Sequence, residues 1–92
     1  MSKLIKLHLL DNVLIATEDI PSGEHLQFQG MEFYFAKPVA IGHKIAALYI
    51  EAGERVIKHG VTIGCATTMI QMGDHVHLHN ITSDYLPKNT NK

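Results

Sequence analysis

Three histidines at alternate positions, His75, His77 and His79, are the residues of this sequence whose types and spacing point most directly to chemistry. They interleave with Val76 and Leu78 in the stretch Gly73-Asp74-His75-Val76-His77-Leu78-His79-Asn80. On an extended strand this alternation sends the imidazoles to one face and the aliphatic side chains into a core. Neutral imidazole is a common metal ligand and the usual general acid or base near neutral pH. Strand residues two apart are separated by roughly 6.6 Å and residues four apart by roughly 13 Å, so one ion takes at most two of the three. The candidate metal pair is His77 and His79, because His75 fills a turn-exit position also filled by His25, Lys44 and Arg55. Two ligands do not complete a site, and the remainder would come from His43, His8, another chain or water. The alternative is a solvated histidine face that binds nothing. By spacing alone His43, directly after Gly42, reads as a surface histidine, and His59 before Gly60 carries a weaker signal still.

The elements that must position these side chains belong to a small chain. Ninety-two residues suggest one domain, spanning 1–86, followed by a polar tail over 87–92. A net charge of −1 argues against a nucleic-acid partner. The seven histidines make the surface charge sensitive to pH near 6.5. The single cysteine, Cys65, excludes an internal disulfide and reads as a buried, inert thiol. Lys3, Lys6 and His8 interrupt the apolar N-terminus, so neither a signal peptide nor a membrane span is expected, and the cytoplasm is the expected compartment. No phosphate-binding glycine loop or nucleophile elbow is present.

The apolar pattern predicts an all-β domain of short strands and glycine turns. Leu4 to Leu10 and Val13 to Thr17 read as strands, separated by turn chemistry at Asp11-Asn12. Gln27 to Phe35 reads as a hairpin around Gln29-Gly30, its aromatics directed to a core or a subunit interface. Lys44 to Tyr49 contains Ala46-Ala47-Leu48 and reads as a turn or a single helical turn. Val56 to Thr67 gives two β-rich runs hinged at Gly60, with a bulge or close backbone approach at Gly64. One turn pattern recurs at Ile20 to Leu26, Val39 to Ile45, Ile50 to Val56 and Ile70 to Val76, with glycines at 23, 42, 53 and 73. The recurrence predicts a pseudo-twofold pair of similar halves sharing one core.

Taken together, Gly42-His43-Lys44-Ile45-Ala46, Val56-Ile57-Lys58-His59-Gly60, Ile63-Gly64, Ala66-Thr67 and Gly73 with His75-Val76-His77-Leu78-His79-Asn80 resemble the SAF domain of the altronate and galactarate dehydratase family. The resemblance covers roughly residues 4 to 81, and Ile5-Lys6-Leu7-His8 with Asp11-Asn12-Val13 is similar to the altronate branch. It implies a β-clip fold and hydro-lyase chemistry on sugar acids, assisted by iron(II) or manganese(II). On this sequence it implies catalytic roles for His43, His77 and His79, with His77 and His79 as candidate metal ligands. It implies substrate contacts for His8, Lys44 and Asn80, with His75 also a candidate. The family's larger C-terminal region is absent here, so the chain reads as a small subunit or N-terminal domain that needs a large catalytic subunit. The small subunit of a sulfolactate sulfo-lyase shares the His-x-His-Asn ending and is the alternative enzymatic reading. A stand-alone, non-catalytic SAF binding or assembly module, or a homo-oligomer, is the other.

Overall fold

The computed structural model describes residues 2–77 and 79–82. Among the described residues nine short strands run β1 (Leu4–Ile5), β2 (Val13–Ala16), β3 (Glu24–Phe28), β4 (Met31–Phe35), β5 (Lys44–Ala46), β6 (Arg55–Lys58), β7 (Val61–Ala66), β8 (His75–Val76) and β9 (Ile81–Thr82). All pairings are antiparallel. The expected all-β class holds among the described residues, which also contain no helix long and apolar enough to cross a membrane. The expected polar tail over 87–92 and the core placement of Leu78 lie outside the described residues.

A four-stranded sheet in the order β1-β2-β5-β8 lies at the centre, with apolar side chains on both faces. Leu14 faces Ile45 across β2 and β5, and Leu4 faces Ala16 across β1 and β2. These four join Ile20, Phe33, Phe35 and Val39 in one cluster. One residue out of phase, Val13 faces Ala46, and both pack with Val76, Ile50, Val56, Ala66 and Ile70 in a second cluster. Period-two alternation on a buried sheet supplies both cores. The β3–β4 hairpin covers the first, and the three-stranded sheet β6-β7-β9 covers the second.

Four turns of one form link these layers. In each, a glycine with φ between 86° and 92° sits third of four residues. The following residue's N–H donates to the first residue's carbonyl: Glu24 to Pro21, His43 to Ala40, Glu54 to Glu51 and Asp74 to Gln71. The positive φ at the third position is the geometry of a type II turn. Each glycine N–H also donates to a carbonyl of a neighbouring segment, on Phe35, Ala16, Ala66 and Ala46 respectively. The apolar residue opening each pattern forms a single β-bridge, Ile20 with Val39 and Ile50 with Ile70, and all four are buried.

The hairpin around Gln29-Gly30 forms as expected, with both residues at positive φ as a two-residue hairpin turn of type I′ requires. His59 and Gly60 repeat that geometry between β6 and β7. The irregularity expected near Gly64 is a register shift: Val56 pairs with Gly64 but Ile57 pairs with Thr62, leaving Ile63 unpaired. The single shared core expected is two clusters instead, and two expectations about strands fail. Lys44 to Ala46 is neither turn nor helical turn but strand β5, paired on both edges, because sheet pairing and full burial of Ile45 and Ala46 override alanine's helical propensity. The first strand ends at Ile5, and Leu7, Leu9 and Leu10 are exposed in the following bend and turn.

Candidate functional site

The histidine row does not lie on an extended strand. β8 ends at Val76, and Asn80 bends the chain back. The Asn80 side-chain carbonyl Oδ1 accepts from the His77 N–H at 3.0 Å, and its amide donates to the His75 carbonyl at 2.8 Å. The N–H groups of Asn80 and Ile81 both donate to the His77 carbonyl. The His75 and His79 rings consequently lie 5.8 Å apart between centroids, where an extended strand would separate them by roughly 13 Å. The separation expected between His75 and His79 therefore falls, while the outcome expected from it stands, since among the described residues no three such side chains converge on one ion.

His43 enters from the opposite strand. β5 pairs with β8 so that Ile45 faces His75 and Lys44 faces Val76. His43 precedes β5, and its turn is tied to β2 by the Ala16 N–H to His43 carbonyl bond at 3.0 Å. Its Nδ1 lies 2.9 Å from Nε2 of His75, a hydrogen bond whose donor is set by the tautomers. The rings of His43 and His75 stack at 5.1 Å, those of His75 and His77 at 5.6 Å with planes only 9° apart, and those of His43 and His77 at 6.0 Å. His75, expected to be a turn-exit surface residue, is the hub that touches the other three.

Burial disfavours a charge on His75, and the charges of His43, His77, His79 and Lys44 add to this, so its pKa lies below the ordinary 6.5. Lys44 is lowered from 10.5 by its own burial and then by Lys58. Two depressions adjoin the row. A small one of about 170 Å³ is lined by Gly42, His43, Lys44, Val76 and His77. A cleft of about 490 Å³ is lined by residues that include Lys37, Thr68, Asp74, His75 and His79.

The remaining candidates lie differently. Asn80 borders the larger cleft, but its side chain is engaged by the loop backbone and is 6% exposed. His8 packs over the β6–β7 turn, where a Cβ on Gly60 would meet its ring at 3.0 Å. Sequence reasoning missed that corner. The buried carboxylate of Asp11 accepts from the N–H groups of His59 and Gly60, both at 2.8 Å. Asn12 holds the same hairpin, accepting from the Ile57 N–H at 2.8 Å and donating to the Arg55 carbonyl at 2.9 Å. Burial raises the Asp11 pKa, but the bonds from Gly60, His59 and His8, with the His8 charge, outweigh it and bring it below 3.8.

Iron(II) or manganese(II) does not fit the histidine row as it stands. Among the described residues no group of three His, Cys, Asp or Glu side chains converges on a point that could hold an ion. The nitrogens of His43 and His75 face each other rather than a common centre. What the row offers is imidazole acid–base chemistry on an exposed sheet edge beside two depressions.

The model of the altronate/galactarate dehydratase SAF domain matches residues 2–84. The chain belongs to this family. Its SAF domain is 40% identical over 80 residues to the altronate dehydratase of Bacillus subtilis, covering 87% of this chain and 16% of that protein. It is 42% identical over 76 residues to the altronate dehydratase of Escherichia coli, covering 83% and 15%. The chain thus spans about a sixth of the length of those relatives. The alpha subunit of (2R)-sulfolactate sulfo-lyase from Chromohalobacter salexigens is 32% identical over 74 residues, and there the match covers 74% of this chain and 79% of the relative.

Proposed function

We propose that this SAF domain is the small component of a sugar-acid hydro-lyase of the altronate dehydratase type, and that it works with a large catalytic partner. The observation that carries the reading is the gathering of His43, His75, His77 and His79 on the β5–β8 edge of a domain 40–42% identical to altronate dehydratases. In such a dehydration a proton leaves the carbon next to the carboxylate and the neighbouring hydroxyl departs. His43 and His77, beside the small depression, are suited to hold and move that proton, and His79 with Lys37 and Thr68 suits a polar, anionic substrate in the larger cleft. The divalent ion implied by the resemblance has its ligands, in this reading, outside the row.

The second reading, a sulfo-lyase subunit, is supported by the match that covers 79% of a sulfo-lyase alpha subunit at 32% identity. Elimination beside a carboxylate is common to both, and the leaving group differs. The test is capture of the partner by this chain from its own cells, followed by turnover of altronate and of (2R)-sulfolactate by the complex. Altronate dehydration lost in the H77A/H79A double variant, with the domain still folded, supports the first reading. Turnover of sulfolactate alone transfers support to the second, and unchanged turnover in the double variant removes the histidines from either.

A further inference from the structure

Resting on the reading of this domain as part of a lyase, we infer that His43 and His75 form a two-histidine proton relay joining the two depressions. His43 lines the smaller one, His75 lines the larger one, and their facing nitrogens are 2.9 Å apart. Contact between Nδ1 of His43 and Nε2 of His75 leaves Nε2 of the first and Nδ1 of the second as the outer nitrogens. Neutral imidazole carries one N–H and one lone pair, so the pair has two matched arrangements. In one, His43 donates Nδ1–H to His75 and keeps a lone pair at Nε2. In the other, His75 donates Nε2–H to His43, which then carries N–H at Nε2.

The step that connects them balances. Nε2 of His43 takes the proton from the substrate carbon. The Nδ1 proton of His43 passes to Nε2 of His75, and the Nδ1 proton of His75 leaves to water in the larger cleft. Departure of the substrate hydroxyl runs the chain backwards: Nε2–H of His43 protonates the leaving oxygen, His75 returns a proton to Nδ1 of His43, and water reprotonates His75. One C–H proton and one hydroxyl leave as water, and the pair ends as it began.

The surroundings favour this use. The stacked His77 ring and the tilted His79 ring hold the His75 imidazole in place. The backbone carbonyl of His75 is fixed by the Asn80 amide, and that of His43 by the Ala16 N–H. His75 acts through His43 and is therefore a positioning residue that also carries the proton onward.

The experiment compares H75Q and H75A in the complex captured with the large partner. A glutamine amide can keep a hydrogen bond to His43 but cannot shuttle a proton. H75Q is expected to lower kcat for altronate about 100-fold with KM changed less than about twofold, since general acid–base contributions run from about 100- to 10,000-fold. The wild-type solvent deuterium effect should show more than one proton in flight and H75Q only one, and free imidazole should restore part of the turnover of H75A. Wild-type kcat in H75Q overturns the relay alone, whereas a wild-type complex that turns over neither altronate nor sulfolactate overturns the reading and the relay together. Long-range ¹H–¹⁵N spectra of the 92-residue chain check the pair directly. Matched tautomers with a shared ring proton that H43Q removes support it, and unmatched tautomers without that proton overturn it.

Discussion

Two corners of this domain carry histidines, and they treat polar groups in opposite ways. At the β6–β7 turn, Asp11 is buried and its carboxylate is satisfied by two backbone N–H groups, with His8 lying over Gly60 as cover. At the β5–β8 edge, His43 and His75 find each other rather than backbone, with the His77 ring stacked and the His79 ring tilted against them. A side chain tied to backbone fixes a shape. Side chains tied to one another keep protons exchangeable. The difference separates a corner that holds the fold from an edge that is free to do chemistry.

The comparison is broken most severely by exchanging the two behaviours. His43→Gln should leave thermal unfolding within a degree or two of wild type yet cost the reconstituted complex about 100- to 1,000-fold in kcat, as loss of a general acid–base group does; a kcat within threefold of wild type would remove His43 from the chemistry. Asp11→Ala should do the reverse. It strands two part-buried N–H groups and removes charge-assisted hydrogen bonds, costing about 1–3 kcal/mol, which denaturant titration would read. Gly60→Ala comes next, at about 1–2 kcal/mol, from the left-handed backbone at φ 77° and the crowded His8 ring. His8→Ala, on an exposed ring, should stay within about 0.5 kcal/mol and should lessen the cost of Gly60→Ala in the double variant.

Acid separates the corners without mutation. His75 binds its proton less readily folded than unfolded, so its contribution is complete above pH 6.5 and declines as pH falls from there toward its lower folded pKa. Asp11 is also lowered, so its contribution is complete above 3.8 and declines below that value. Stability measured against pH should therefore soften in two windows. His75→Gln should abolish the upper one and leave the lower intact.

Much of this was legible in the residues. Aliphatic alternation and turn glycines gave most strands, and the hairpin at Gln29-Gly30 and the hinge at Gly60 could both be read from the residues. Lys44 to Ala46 could not be read as β5, because its strand character comes from partners on β2 and β8 rather than from Ala46-Ala47-Leu48 itself. His43, His77 and His79 could be singled out, but their gathering could not. It depends on Asn80 bonding the backbone at His75 and His77, and on a β5–β8 pairing that brings His43 to His75 across 32 positions. The central place of His75 was hidden for the same reason, since a turn-exit position looks alike in all four repeats until two of them pair.

Those four repeats have a consequence for engineering. Every glycine corner closes on itself and is also fastened to a neighbouring segment through the glycine amide. The tetrapeptides Pro21–Glu24, Ala40–His43, Glu51–Glu54 and Gln71–Asp74 are thus interchangeable cassettes as far as the main chain is concerned. The corner at Glu51–Glu54, whose residues line neither depression beside the histidines, is a place where foreign sequence can be written into the domain without disturbing its edge.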